Sequence, residues 1–177
     1  YNMMKIAITG KMCSGKTTLS NYLCSLEPRF QVFSFGKKVK QVASDLFDMD
    51  PKVKDRSLLT SIGQKMREID PDVWINYVIK EAAGIDYCLI DDLRYQNEYL
   101  ALAKNGWKVI QLTMSDDLQE KRIRDIYPED YEDHLKNRTH LSERNVFEWL
   151  NEGPDLVIDS SMNQEEIKAI VRSFISS

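Results

Sequence analysis

Residues 4–17 read Met4-Lys-Ile-Ala-Ile-Thr-Gly10-Lys-Met-Cys-Ser-Gly15-Lys16-Thr17. Residues 10–17 fit G-x-x-x-x-G-K-[ST], a pattern in which a glycine-rich turn joins a buried strand to a helix. The apolar run before the turn predicts the strand. Apolar residues spaced at i, i+3, i+4 and i+7 from Leu19 to Leu26 predict an amphipathic helix after it. The stretch therefore predicts a phosphate-binding loop between the first strand and the first helix.

The residue types of this loop suit a nucleoside triphosphate. Gly10 and Gly15 allow close backbone approach, so successive N–H groups can face an anion at the N-terminus of the helix. Lys16 is expected to reach the terminal phosphates, and Thr17 to offer its hydroxyl to magnesium. The alternative is a glycine-rich turn that only resembles the motif, and the flanking strand and helix count against it. The other predicted nucleotide contacts are Lys11, Cys13, Ser14 and Thr18.

The composition is globular and acidic. Of 177 residues, 42% are hydrophobic and 29% charged, and the net charge is −4 at pH 7. Because chains that bind polyanions are expected to be basic, a nucleic acid polymer or an anionic membrane is not expected as a partner. No apolar stretch is long enough to span a bilayer. The odd set Cys13, Cys24 and Cys88 lacks metal-like spacing, so we expect reduced thiols and a cytoplasmic location.

Strands and helices alternate along the sequence. Apolar runs predict further strands at residues 30–35, 87–90, 107–113 and 156–158, with helical spacing of apolar residues between them. We therefore predict an α/β fold with a parallel five-stranded sheet flanked by helices, in a single domain over residues 1–177. Ligands are then expected beyond the carboxyl ends of the strands.

Two segments are longer than simple connections between a strand and the next element. Helical patterns over about residues 37–84 are longer than a crossover requires, which predicts a substrate-binding insertion. Within it, Asp70 is expected to cap a helix that begins with Pro71. Residues from about 115 to 145 are predicted to form a small lid, with an irregular polar stretch over residues 128–145.

Three charged residues, Asp91, Asp92 and Arg94, follow the third predicted strand at the same sheet edge as the loop. A carboxylate there can hold hydrated magnesium as a Walker-B aspartate does, or it can accept a hydrogen bond from substrate. A guanidinium group can bind phosphate through two hydrogen bonds. The alternative is a solvated strand end that caps the next helix.

Other cations have two interpretations each. Lys121, Arg122 and Arg124 form a basic helical face that is either exposed surface or closes with the lid onto transferring phosphate. Arg67 either complements a helix dipole or binds an anion. His140 is expected to be a hydrogen-bonding loop residue.

The arrangement as a whole resembles the nucleoside monophosphate kinase family, most closely the deoxynucleoside monophosphate kinases of large DNA phages and viruses. The resemblance covers most of the chain. Its most specific pieces are Arg67-Glu-Ile-Asp-Pro-Asp-Val-Trp-Ile-Asn76 and Asp92-Leu-Arg-Tyr-Gln-Asn-Glu98. Further matching pieces are residues 10–17, Ser34-Phe35-Gly36, Ile62-Gly63-Gln64 and His140-Leu141-Ser142-Glu143.

The resemblance implies ATP as phosphate donor with Mg²⁺, and a deoxynucleoside monophosphate held between the insertion and the sheet. The catalytic residues it implies are Lys16, Asp92, Arg94, Arg122 and Arg124. The substrate-binding residues it implies are Arg67, Trp74, Asp91, Arg94 and Asn97, with Thr17 and Asp91 at the metal. Trp74 taken alone is more typical of a core. The chain departs from the family at Asp91-Asp92, where the family usually has one aspartate, so either carboxylate can act.

Two rival functions would keep the same loop. Another small-molecule kinase, of the phosphomevalonate or dephospho-coenzyme A type, would use the same donor site with a different acceptor. A non-catalytic nucleotide switch fits less well, because guanine-reading switches normally carry Asn-Lys-x-Asp after a late strand, which this sequence lacks. The preferred base and the oligomeric state are left open, with a homodimer as one alternative.

Overall fold

A computed structural model describes residues 3–53, 55–137 and 153–177. Its strands are β1 (Met4–Gly10), β2 (Gln31–Phe33), β3 (Tyr87–Leu93), β4 (Lys108–Thr113) and β5 (Leu156–Asp159). Its helices are α1 (Lys16–Leu26), α2 (Phe35–Phe47), α3 (Arg56–Ile69), α4 (Val73–Ala82), α5 (Gln96–Lys104), α6 (Asp116–Ile126), α7 (Tyr131–Asn137) and α8 (Gln164–Ser176). None of the helices within these ranges is long and apolar enough to cross a membrane.

The five strands form one parallel sheet in the order β2-β3-β1-β4-β5. This arrangement confirms the predicted fold class. Because β1 is central, the loop that follows it leaves the carboxyl edge of the sheet between the ends of β3 and β4. Ligands of parallel α/β sheets bind at this edge, where the chain turns to opposite faces.

Helices cover both faces of the sheet and produce two apolar cores. On one face, Ile6 and Ile8 of β1 pack with residues of α1 and α8, among them Leu23 and Val171. On the other face, Ala7 packs with residues from α2, α3, α4 and α5. Strands covered on both sides must be apolar at every position, which is why the runs in the sequence are unbroken rather than alternating.

The link between α3 and α4 differs from the sequence prediction. Asp70 was expected to cap the second helix, with Pro71 as its first residue; instead Asp70 ends α3 and Asp72 precedes α4. The Asp70 carboxylate accepts a hydrogen bond from the backbone N–H of Asp72 at 3.0 Å. This hydrogen bond closes a turn over residues 70–72. Pro71 therefore lies in the corner between α3 and α4 and not in the first turn of a helix.

Two other boundaries also differ from the predictions. β3 continues to Leu93 rather than ending at Ile90, so both aspartates belong to the strand. The predicted irregular stretch over residues 128–145 contains helix α7. The rest of that stretch, from residue 138 onwards and including His140, lies outside the described residues.

Candidate active site

The loop after β1 has the backbone geometry that its glycines allow. Gly15 precedes α1 with a φ of 98°, a left-handed value that a side chain would strain. A Cβ atom on Gly10 would lie 2.5 Å from Oγ of Ser14, so this position has no room for a larger residue. Nζ of Lys16 donates to the carbonyl of Gly10 at 2.6 Å, which places the ammonium group against the loop backbone.

One buried polar atom in the loop fits an anion. Oγ of Ser14 has no hydrogen-bond partner among the described residues, although Ser14 is only 3% exposed. A buried hydroxyl without a partner is costly, and the oxygens of a phosphate accept hydrogen bonds from hydroxyl and backbone N–H groups. This loop therefore suits a phosphate group chemically as well as by sequence pattern.

Helix α6 fastens the loop from one side with three side chains spaced three residues apart. Asp116 pairs with Lys11 at 3.0 Å. Nε2 of the buried Gln119 donates to the carbonyl of Met12 at 3.2 Å. The third side chain, Arg122, contacts the next residue of the loop, Cys13, so α6 contacts three successive loop residues.

Arg122 is the third of these side chains and the most firmly held. Its guanidinium group donates to the carbonyl of Cys13 at 2.9 Å and to the carbonyl of Ser160 at 2.8 Å. Ser160, which follows β5, in turn donates its hydroxyl to the carbonyl of Ser14 at 2.7 Å. The loop is thus tied to both α6 and the end of β5, and Arg122 lies beside it.

Arg124 lies on a different face of α6. It pairs with Glu120 at 2.8 Å, and its side chain is 54% exposed. Its guanidinium group also lies 4.9 Å from the ring centre of Tyr131 in α7. The two predicted lid arginines therefore have different contacts: Arg122 contacts the loop, whereas Arg124 contacts Glu120 of α6 and Tyr131 of α7.

An open cleft of about 600 Å³ runs along the loop. Its far side is formed by the end of α6, the residue after β5 and the start of α8. The lining residues are Met12, Cys13, Ser14, Gly15, Lys16, Thr17, Thr18, Arg122, Asp125, Ile126, Tyr127, Ser160, Gln164 and Ile167. The cleft brings together most of the predicted nucleotide-binding residues, and its lining also includes the apolar and aromatic side chains of Ile126, Tyr127 and Ile167.

The two aspartates of β3 lie at a β-bulge. Ala7 pairs with Ile90 and Thr9 with Leu93, so the two-residue step in β1 faces a three-residue step in β3. One extra residue is thereby absorbed without shifting the rest of the strand. Asp91 and Asp92 are the two residues of β3 that lie within this bulge.

Asp92 and Asp91 have different surroundings. Asp92 accepts hydrogen bonds from the hydroxyl of Ser34 at 2.7 Å and from the backbone N–H groups of Phe35 and Gly36 at 3.1 and 2.9 Å. It therefore holds the start of α2 against the sheet edge, and a direct catalytic part for it remains a prediction. Burial, followed by the charge of Asp92, raises the pKa of Asp91, while a backbone hydrogen bond and the charges of Lys16 and Arg94 act in the opposite direction.

The two arginines predicted to bind the acceptor, Arg67 and Arg94, lie near the carboxyl end of β3. The guanidinium group of Arg67 lies 4.4 Å from the ring centre of Tyr95. Arg94, the residue before Tyr95, is exposed at the end of β3. Arg67 thus contacts Tyr95, the residue that directly follows Arg94.

Two other predicted substrate residues have structural contacts. Trp74 is 3% exposed and belongs to the core, with its indole N–H donating to the carbonyl of Gly63 at 3.3 Å. Its surroundings match the core interpretation rather than an open pocket wall. The side-chain amide of Asn97 donates to the carbonyl of Pro71 and to Asp72, which ties α5 to the α3–α4 corner.

A family model described as AAA domain matches residues 6–139. The chain belongs to the AAA domain family. No curated protein matches the sequence. Among solved structures with the same fold is shikimate kinase from Aquifex aeolicus, at 16% identity and a TM-score of 0.58 over 98% of this chain and 96% of that one.

Two further kinases have a similar fold. The APS kinase CysC from Mycobacterium tuberculosis, solved with AMPPNP and APS, matches at 14% identity with a TM-score of 0.56 over the whole of both chains. A gluconokinase from Sinorhizobium meliloti matches at 11% identity with a TM-score of 0.61 over 99% of this chain and 94% of that one. At these identities the likeness establishes a P-loop kinase-like fold.

Sequence reasoning missed several residues at and around this site. Gln119 and Ser160 have no motif of their own, although Ser160 directly follows a strand at the ligand-binding edge. His134 was also missed: it is 2% exposed, stacks on Tyr127 at 3.8 Å between ring centres, and its Nδ1 lies 2.9 Å from a guanidinium nitrogen of Arg56. Since Tyr127 lines the cleft and Arg56 begins α3, this cluster joins the predicted lid to the predicted insertion.

Proposed function

We propose that the protein transfers the terminal phosphoryl group of ATP to a deoxynucleoside monophosphate. The observation that carries this proposal is the placement of two groups of cationic side chains. Lys16 and Arg122 contact the loop after β1, and Arg67 lies over Tyr95, the residue after Arg94 at the end of β3. Asp91 belongs to β3, which pairs with β1 in the sheet. A donor phosphate and an acceptor phosphate would each have cations of their own.

The donor half rests on the loop and its cleft. Phosphates would lie along residues 10–17, and the aromatic and apolar end of the cleft at Tyr127 and Ile167 offers a surface for a base. The likeness to an APS kinase solved with AMPPNP and APS supports a nucleotide in such a cleft. No group of three or more potential protein ligands for a metal occurs among the described residues.

Magnesium fits this site with few protein ligands, because a nucleotide-bound Mg²⁺ takes most of its ligands from phosphates and water. The hydroxyl of Thr17 and the carboxylate of Asp91 would hold it. When bound, the ion neutralises charge on the donor phosphates.

The proposed chemistry is a direct in-line transfer. An oxygen of the acceptor monophosphate forms a bond to the terminal phosphorus of ATP, and the bond from that phosphorus to the bridging oxygen breaks, which releases ADP and a deoxynucleoside diphosphate. The attacking oxygen is already anionic, so no strong base is needed. Catalysis then depends on positioning and on charge neutralisation by Lys16 and the arginines.

A panel of acceptors tests the proposal. We expect turnover with at least one of dTMP, dGMP, dCMP and dAMP when ATP and Mg²⁺ are supplied, measured as ADP release and as the diphosphate product. Ribonucleotides measure sugar discrimination. Phosphomevalonate and dephospho-coenzyme A are the informative rivals, since they would use the same donor loop. Turnover of either rival with none of the nucleotides would replace the proposed acceptor.

A further inference from the structure

The two most specific stretches of the sequence, residues 67–76 and 92–98, meet in space. Nδ2 of Asn97 donates to the carbonyl of Pro71 at 2.9 Å and to Oδ1 of Asp72 at 3.2 Å. Both acceptors belong to the corner between α3 and α4. Nδ2 carries two hydrogens, so this nitrogen has an acceptor for each of them.

A second contact joins the same two stretches. The guanidinium group of Arg67 lies over the ring of Tyr95, 4.4 Å from its centre. Gly63, one turn earlier on α3, gives this arginine space, because a Cβ atom there would stand 3.1 Å from a guanidinium nitrogen of Arg67. The direction of Arg67 therefore depends on how α3 is docked against residue 95.

Hydrogen bonds to a buried carboxylate hold the turn that carries Arg94 and Tyr95. Glu98 is 2% exposed, and its Oε1 accepts hydrogen bonds from the backbone N–H groups of Arg94 and Tyr95, each at 3.0 Å. The bond to the Tyr95 N–H satisfies the backbone donor of the residue that precedes α5. Arg94, Tyr95 and Asn97 are thus carried on one fixed turn of backbone.

We propose that Asn97 is a positioning residue of the acceptor site: it docks the α3–α4 corner onto the start of α5 and so keeps Arg67 beside the turn that carries Arg94. The ligand served by this arrangement is the phosphate of the acceptor, so the inference rests on the proposed function. It assigns Asn97 to the protein corner instead of to direct contact with substrate.

The matched pair of variants is Asn97→Ala and Asn105→Ala. Both asparagines lie at ends of α5 and donate a side-chain N–H to a backbone carbonyl, but the side-chain amide of Asn105 donates to the carbonyl of Ala101 within its own helix. Hydrogen–deuterium exchange of the unliganded protein reports on docking without any substrate. We expect faster exchange over residues 56–82 in Asn97→Ala, with the sheet unchanged, and no such local change in Asn105→Ala.

Steady-state kinetics with the nucleotide identified by the acceptor panel supply the second measurement. We expect the KM for the acceptor to rise about tenfold in Asn97→Ala, a size typical of losing one or two hydrogen bonds. The KM for ATP and kcat should change less than about twofold, because the loop is untouched. Asn105→Ala should leave all three constants near wild type.

A third variant separates positioning from direct binding. Asp72→Ala removes one acceptor of Asn97, so its effect on the acceptor KM should largely disappear when it is combined with Asn97→Ala. Additive effects with unchanged exchange would make Asn97 a direct ligand and overturn the proposal, as would wild-type exchange and kinetics. A global rise in exchange with a fall in kcat would also overturn it in favour of a general structural role. If wild type phosphorylates no nucleotide, the proposed function fails, and the exchange experiment alone decides the docking role.

Discussion

At the scale of single residues, the contacts of a charged group show whether it stabilises the fold or faces the cleft. Asp92 accepts three hydrogen bonds, from Ser34, Phe35 and Gly36, and these occupy both of its carboxylate oxygens. Of the two neighbouring carboxylates, Asp91 is therefore the better candidate for the metal. Lys16 is the cation most closely associated with the loop backbone.

Lys16→Ala tests this residue directly. We expect phosphoryl transfer to fall roughly 100- to 1,000-fold, because one preorganised cation at the transferring group is lost. The fold should remain intact, since Lys16 contacts the loop rather than the core. Turnover and circular dichroism are measured together, and Lys104→Ala, at an exposed position on α5, is the control. A folded Lys16→Ala protein with wild-type turnover would refute the loop assignment.

At the scale of secondary-structure elements, helix α6 determines the shape of the loop. Its residues Asp116, Gln119 and Arg122 contact Lys11, Met12 and Cys13 in turn. Spacing by three residues places these side chains along one side of the helix. The element predicted as part of a lid thus acts on the nucleotide loop itself.

Arg122 and Arg124 form a natural comparison on this helix. We expect Arg122→Ala to lower kcat at least tenfold, because the hydrogen bonds to Cys13 and Ser160 are lost together with a cation beside the loop. Arg124→Ala removes a mainly exposed pair with Glu120, an interaction worth at most about 1 kcal/mol, and should have little effect. Steady-state kinetics of both variants decide the matter, and equal effects would contradict the distinction.

At the scale of the whole molecule, a buried carboxyl couples stability to pH. Burial raises the pKa of Glu98 to about 7 from an ordinary 4.5, against the opposing effect of its hydrogen bonds from Arg94 and Tyr95. Between these two values the folded protein binds more protons at this site than the unfolded chain does. The free energy of unfolding therefore falls as pH rises from 4.5 to 7 and is flat above that window.

Glu98→Gln removes this titration and keeps a carbonyl oxygen for both N–H groups. The free energy of unfolding of the variant minus that of wild type should increase by about 3 kcal/mol as pH rises from 4.5 to 8, which is the size that the pKa shift implies. Urea unfolding at several pH values gives the difference curve, with Glu68→Gln at an exposed position as control. A difference that does not change with pH would show that Glu98 titrates normally.

The sequence by itself determined the phosphate-binding loop, the order of strands and helices, and the parallel sheet. These features depend on local patterns: a glycine spacing in residues 10–17, apolar runs, and helical periodicity. Each can be recognised within about ten to fifteen neighbouring residues. The same locality explains the errors, since nothing near Asp70 distinguishes a helix cap from a side-chain turn.

Only the tertiary structure decided which residues of the site meet. Asp92 lies 56 to 58 positions from its partners at the start of α2, and Arg122 lies 109 positions from Cys13. The β3 bulge contains both Asp91 and Asp92. The packing of α3 and α4 places the Pro71 carbonyl against Asn97, a contact that the sequence motif of Asn97 does not reveal. Such pairings depend on how the packed elements place distant backbone groups, and no local pattern encodes that placement.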